Sequence, residues 1–175
     1  LPDLDQCPRR IALVEPVAKR ALELDSTLSM PWAALSLAEM RSRPVDWDKA
    51  IDLANRAVEA NPGNTTALLW RSVSWDYLAY FDKALADQRR CLELDPAYQN
   101  CLRWAAQSLI SMGDADGAMA AFEQGVATGF IDNRAASFVP ILVGKGDRLA
   151  ASLLLHMCGA PPELAEIFID ALQHP

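Results

Sequence analysis

Residues of matching character recur along this chain at intervals of 34. Leu68 and Leu102 are one such pair, Ala84 and Ala118 a second, and Pro62 and Pro96 a third. The phrases leading into the two prolines correspond as well, Ala57-Val58-Glu59-Ala60-Asn61-Pro62 against Cys91-Leu92-Glu93-Leu94-Asp95-Pro96. An earlier copy, Ala21-Leu22-Glu23-Leu24-Asp25, ends in Ser26 instead of proline and lies 36 before Pro62, which places about two extra residues near Arg43-Pro44-Val45. A period of this length is one supersecondary unit. Such a unit cannot bury its apolar face alone, so it stacks on copies of itself.

The central copy, Asn64 to Pro96, reads as a helical hairpin. Thr65 to Leu78 is apolar at helical spacing, with Leu68, Leu69, Val73 and Trp75 to Leu78 directed inward. Tyr80-Phe81-Asp82 interrupts it, Lys83 to Leu94 forms the return helix, and Pro96 ends it by fixing φ and clashing with continued helix.

On these residues the chain resembles the tetratricopeptide-repeat (TPR) family. That pattern has a large residue early in the first helix and a small one four later, then a small residue in the second helix, an aromatic four beyond it and a closing proline. Here the large residue is Trp32, Leu68 or Leu102, and the small one Ser36, Ser72 or Ala106. The second-helix alanine is Ala50, Ala84 or Ala118. The aromatic survives only as Phe122, with Ala54 and Gln88 in its place elsewhere, and Phe130 stands where the third proline would be. Gly113-Asp114 matches the family's inter-helix turn best. The resemblance covers roughly residues 11–132. It implies an all-α, right-handed superhelical solenoid of antiparallel helix pairs.

In chain order, 1–8 reads as a linker and 9–28 as a partial repeat whose helix, Arg9 to Leu24, contains Pro16. Three repeats fill 29–132. Ser29 is placed as the cap of the first helix and Asp46 as the cap of the second, Trp47 to Ala60. The third repeat comprises Tyr98 to Met112 and Ala115 to Ala127, with Gly129 as a stop. Residues 133–175 read as a degenerate repeat, Asn133 to Val143 and Arg148 to Met157, followed by a capping helix, Glu163 to Leu172, with Leu164, Ile167, Phe168 and Leu172 turned inward.

Charge and cysteine content narrow the partners. The net charge of −7 opposes a phosphate backbone and argues against nucleic acid as a partner. No apolar run reaches membrane-spanning length, the longest being Leu149 to Ala160. The start at Leu1 and the end at Pro175 suggest a piece of a longer protein. Cys7, Cys91, Cys101 and Cys158 show no metal spacing and read as buried free thiols. Cys91 ends one hairpin and Cys101 opens the next helix, so the two can also meet in a disulfide, which would imply an oxidising compartment. The expected compartment is the cytoplasm, or the periplasm if that bond forms.

Chemistry is sparse. Gly144-Lys145-Gly146 lacks the upstream glycine and the Ser/Thr of a phosphate loop and reads as a turn. His156 and Cys158 stand on different faces of a helix end. No catalytic residue, metal ligand or cofactor is assigned. The five tryptophans all lie in the repeats. Trp32, Trp47 and Trp75 occupy packing positions. Trp70 and Trp104, one repeat apart and two residues past Leu68 and Leu102, either pack between repeats or turn toward a concave groove beside Val73, Tyr77, Arg103, Gln107 and Arg134. The groove is the reading adopted here, because aromatics flanked by arginine anchor binding sites.

The family's carboxylate-gripping lysines and asparagine are absent, with Ala33, Leu37 and Trp70 at those places, so that activity does not carry over. The resemblance extends, through Trp47-Asp48-Lys49-Ala50, to the TPR tails of bacterial signalling regulators. It implies a non-enzymatic module that binds a protein or peptide segment. Self-association, including a homodimer, and small-molecule sensing near Trp70, Trp104 and His156 are the alternatives.

Overall fold

The computed structural model describes residues 6–129 and 133–173, with side chains described from 13 to 129 and from 136 to 173. Ten α-helices and one 3-10 helix make up the described residues, with no strand among them. The helices are α1 (Gln6–Leu24), α2 (Ser29–Met40), α3 (Trp47–Ala60), α4 (Thr65–Tyr77), α5 (Phe81–Leu94), α6 (Gln99–Ser111), α7 (Ala115–Ala127), α8 (Val139–Gly144), α9 (Arg148–Met157) and α10 (Pro162–Gln173). The 3-10 helix Asn133–Phe138 precedes α8.

Hairpins α2/α3, α4/α5 and α6/α7 pack most closely within themselves, and each then packs on the helix that follows or precedes it. The alanines of the periodic pattern explain how. Ala50, Ala84 and Ala118 are each 0% exposed, because a methyl group is all that fits where the two helices of a hairpin cross. Ser36 and Ser72, both buried, are the small partners on α2 and α4. The Ser36 hydroxyl donates to the Ala50 carbonyl at 2.8 Å. First helices touch one another, α2 on α4 and α4 on α6, whereas the second helices α3 and α5 meet marginally at most. The stack therefore curves, with the first helices on its inner side.

Asp46 accepts from the Lys49 amide at 3.0 Å and caps α3 as expected. Asn64, Asp114 and Asp147 cap α4, α7 and α9 in the same way. Ser29 does not cap α2. It lies inside the helix, where its hydroxyl donates to the Ala57 carbonyl at 2.6 Å and accepts from Asn64 Nδ2 at 2.8 Å, so it joins two repeats. The segment Tyr80-Phe81-Asp82 punctuates less than the sequence suggests, because α5 already begins at Phe81. The reversal is made by Ala79, whose φ of 61° is left-handed.

Four further expectations need correction. Gln6, Cys7 and Pro8, placed in a linker, are helical, while 1–5 lie outside the described residues. Asn133 to Val143 is not one helix. Pro140 lacks the amide needed to continue a helical ladder and sits in the first turn of α8, so the segment divides into a 3-10 turn and a short helix. In α10 the inward residues are Ala165 and Ile169, 1% and 0% exposed, whereas Leu164, Ile167 and Phe168 face solvent and Leu172 is partly buried. Arg148 sets this orientation by holding Glu166 at 2.6 Å and Asp170 at 2.7 Å, which turns the acidic flank of α10 toward α9.

The fourth correction concerns the thiols. Cys91 and Cys101 form a disulfide and are both 0% exposed. One repeat earlier their places are held by Ala57 and Ala67, also 0% exposed, which meet where α3 and α4 cross. The bond thus occupies a contact that the neighbouring repeat fills with two methyl groups. Cys158 is partly buried and takes no part in a disulfide, and Cys7 lies among residues whose side chains are not described.

Candidate interaction groove

On the inner side, α4 contributes Thr66, Trp70, Val73 and Tyr77 at helical spacing, and α6 contributes Asn100, Trp104, Gln107 and Ser111 one repeat later. The structure sorts the expected site residues. Tyr77, the last residue of α4, is 64% exposed and lies with its ring 6.1 Å from that of Trp104 at an interplanar angle of 60°. Arg103 places its guanidinium 5.7 Å from the Trp104 ring centroid, within cation–π range. Gln107 is partly buried on the same helix, and its carbonyl accepts from the Ser111 hydroxyl at 3.1 Å.

Trp70 is partly buried and leans on both Ala33/Ala57/Ala67 and the Leu68/Leu69 cluster, so part of its ring packs between repeats. Val73 is 3% exposed and packs in the buried cluster with Met40, Ala50, Leu69 and Cys101, so it offers nothing to a ligand. Arg134 falls in the 3-10 turn, and its side chain lies outside the described residues.

Trp47 joins the site although the sequence assigns it to packing. Its ring is 5.5 Å from that of Tyr77, giving a continuous row Trp47–Tyr77–Trp104. The hairpin topology carries the reason. First and second helices run antiparallel, so the last residue of α4 and the first of α3 come to the same edge of the stack. Trp32 and Trp75 are also only partly buried. Arg56 stacks over Trp32 at 5.1 Å and Lys83 over Trp75 at 4.5 Å.

Beneath the rings the hairpins are fixed by polar contacts. Arg71 of α4 grips Asp87 of α5 through two hydrogen bonds, 2.8 and 2.7 Å, and reaches Asn55 of α3 at 3.3 Å. This bidentate geometry orients three helices at once. Gln88 fills the slot where the family pattern has an aromatic. It is 0% exposed and is satisfied by Asp76 and Ser108 rather than by ring packing.

A second concavity, about 710 Å³, opens between α1, α2 and α3 with Leu22, Trp32, Leu35 and Leu53 in its lining. Its rim charges pair with each other, Glu15 with Lys19 at 2.7 Å and Glu39 with Lys49 at 2.6 Å. The Lys49 ammonium holds the Glu39 carboxyl below its ordinary value. The lining also carries Glu23 and Arg41, so acidic and basic side chains balance in number there. His156 stands exposed on α9, which packs on α8 and α10, away from the helices that carry Trp70 and Trp104. Among the described residues, no group of three or more His, Cys, Asp or Glu side chains could hold a metal ion, and no helix is long and apolar enough to cross a membrane.

No protein-family profile matches the chain. Solved structures do. A crystal structure of MamA aligns over 98% of this chain and 99% of its own, with a TM-score of 0.69 at 18% identity. The fold is that of the TPR proteins. YrrB, described as a TPR protein with an unusual peptide-binding site, aligns over 81% of this chain and 72% of its own, at TM-score 0.68 and 13% identity. The Cut9–Hcn1 hetero-tetramer of the APC/C gives TM-score 0.74 at 12% identity, over 90% of this chain and 32% of the other. At such identities the likeness concerns the fold. The all-α solenoid of antiparallel helix pairs read from the sequence is the architecture found.

Proposed function

We propose that this chain is a protein-interaction module that takes an extended or helical segment of a partner along its inner face. The observation that carries this reading is the row Trp47–Tyr77–Trp104, whose central ring is 64% exposed on the face built from first helices. A large ring held by two others is a preorganised anchor with little side-chain freedom left to lose on binding. YrrB, which shares the fold, is described as having a peptide-binding site, and this lends support to the class of ligand. With a net charge of −7, nucleic acid is not among the partners proposed.

The test is a screen of immobilised peptides followed by fluorescence titration of those that bind. Tyr77→Ala should weaken binding at least tenfold and cost less than about 1 kcal/mol of stability, because an exposed side chain contributes little to the core. Trp104→Ala should weaken binding equally while lowering stability more, since its ring is partly buried. Peptides that bind both variants as well as the parent would move the site off this face.

The finer reading is a regulatory fragment of a larger bacterial signalling protein. It rests on the resemblance of Trp47-Asp48-Lys49-Ala50 and the hairpin ends to the TPR tails of such regulators. The buried Cys91–Cys101 disulfide supports an oxidising compartment such as the periplasm over the cytoplasm. Thiol trapping of the protein in its native cells would decide this, with free thiols at both positions excluding it. Self-association is a second reading. It is favoured by Leu149, Leu153, Leu164 and Ile167, all more than half exposed on α9 and α10. A strict monomer across a light-scattering concentration series would remove it.

A further inference from the structure

One polar cluster adjoins the aromatic row in the chain, with two members buried and the third, Asp76, partly buried. Asp76, in the last turn of α4, meets Gln88 of α5 and Ser108 of α6. Gln88 and Ser108 are both 0% exposed. Gln88 Nε2 lies 2.8 Å from Asp76 Oδ2 and 2.9 Å from Ser108 Oγ. Ser108 Oγ lies 2.7 Å from Asp76 Oδ1 and 3.0 Å from Gln88 Oε1. It is also 3.0 Å from the carbonyl of Trp104.

The donors are few, so the protons can be placed. A serine hydroxyl has one and a side-chain amide two. With Asp76 ionised, Ser108 donates to Oδ1, and Gln88 donates to Oδ2 and to Ser108 Oγ. Gln88 Oε1 then receives nothing from the cluster. With Asp76 protonated, its Oδ1–H donates to Ser108 Oγ, Ser108 donates to Gln88 Oε1, and Gln88 donates to Oδ2 and to Ser108 Oγ. That ring is closed, every short contact in it is used, and no charge is buried. Both states fit the same heavy-atom positions, and the neutral state fits them more completely.

Burial pushes the Asp76 carboxyl up to about 6, against the pull of the hydrogen bonds from Ser108 and Gln88. Several charged groups on the elements around it are engaged elsewhere. Glu39 of α2 is paired with Lys49 of α3, and Arg71 of α4 with Asp87 of α5. Lys83 of α5 lies over Trp75 and Tyr80, and Arg103 of α6 over Trp104. Asp76 adjoins Tyr77 in the chain, and Ser108 is one turn beyond Trp104, so the cluster joins the two helix segments that carry those rings.

We propose that Asp76, Gln88 and Ser108 form a proton-operated clasp between α4, α5 and α6, which sets how firmly Tyr77 and Trp104 are held together and so regulates the groove they line. The regulatory half of this statement rests on the groove reading above; the clasp itself is tested on the free protein.

The sign follows from linkage. A carboxyl whose folded value exceeds its unfolded one stabilises the fold fully below the unfolded value, near 4, and that contribution is lost as pH rises through about 6. Carbon-13 NMR of the Asp76 carboxyl should therefore show a midpoint near 6, with the Trp104 indole signal moving at the same midpoint. The melting temperature of the parent should fall between pH 5 and pH 7 relative to Asp76→Asn, which keeps a donor toward Ser108 without a charge. Ser108→Ala removes the hydroxyl that donates to the ionised carboxyl, so the Asp76 midpoint should rise and the melting temperature should fall more at pH 7.5 than at pH 5.

A labelled peptide recovered from the screen should bind at least threefold more tightly at pH 5.5 than at pH 7.5, and equally at both in Asp76→Asn. An Asp76 midpoint near 4, or Asp76→Asn keeping the parent's pH response, overturns the clasp. A Tyr77-dependent peptide whose affinity ignores pH overturns the regulation while the groove stands. Because the titration needs no peptide, failure of the groove would not be mistaken for failure of the clasp.

Discussion

Single residues are where the repeat pattern is most exacting. Ala79 and Gly113 occupy the same place in successive hairpin turns, and both are left-handed, with φ of 61° and 80°. Glycine adopts that conformation freely, whereas alanine is strained there by its Cβ. Ala79→Gly should relieve about 1 kcal/mol or more of strain and lose part of it to the greater freedom of the unfolded chain. A net gain of about 0.5 kcal/mol is expected in urea denaturation. The same substitution at a right-handed position would cost stability, so the sign is the informative quantity. Val73 and Trp47 teach a related lesson about the site. Both can be placed on a helix from the sequence, but whether each is covered depends on how closely the next helix approaches. Val73 is hidden in a cluster to which α2, α3, α5 and α6 all contribute, while Trp47 is brought to the groove's edge by an antiparallel neighbour. The repeat offset of 34 pairs Trp70 with Trp104, whereas the contact between Tyr77 and Trp104, 27 residues apart, depends on how α4 and α6 pack and is not given by the period.

At the scale of elements, helices that belong to full repeats follow the pattern nearly to the residue: α3 and α7 have the expected limits, and the capping aspartates say why. The C-terminal segment departs from it. Leu164, Ile167 and Phe168 look like an inward stripe on hydrophobicity alone, yet the helix turns Ala165 and Ile169 to the core. A small residue allows the helices to approach, and Arg148 rewards the orientation that brings Glu166 and Asp170 to it. Hydrophobic periodicity cannot weigh a cross-helix ion pair, so this rotation was not readable in advance. It is checked by two isoleucines two positions apart. Ile169→Ala should destabilise by about 2–4 kcal/mol, and Ile167→Ala by less than about 0.5 kcal/mol, in chemical denaturation. Equal losses would mean that α10 sits as its hydrophobicity suggests.

The whole molecule behaves as a row of units coupled to their neighbours. Its interior comprises a large cluster from Leu85 to Ile169 and two smaller ones nearer the N-terminus, joined where partly buried residues such as Leu92 and Trp70 belong to two of them. In such arrays stability is a sum of unit and interface contributions. The Cys91–Cys101 bond adds to one interface alone. Its closed loop is short, with a sequence separation of 10, so chain entropy assigns it about 2–3 kcal/mol. Replacing both cysteines by alanine restores the pair found at Ala57 and Ala67. The double variant should therefore fold to the same structure with a midpoint lowered by that amount, as circular dichroism in denaturant would register. A mechanical property follows from the same bond. Stretched by its two termini, the row would come apart hairpin by hairpin, but the segment from Cys91 to Cys101, a sequence separation of 10, would stay short-circuited. An optical trap would record a final length about 27–30 Å less than that of the reduced chain, the ten-step contour less the 6.4 Å that the bond itself spans.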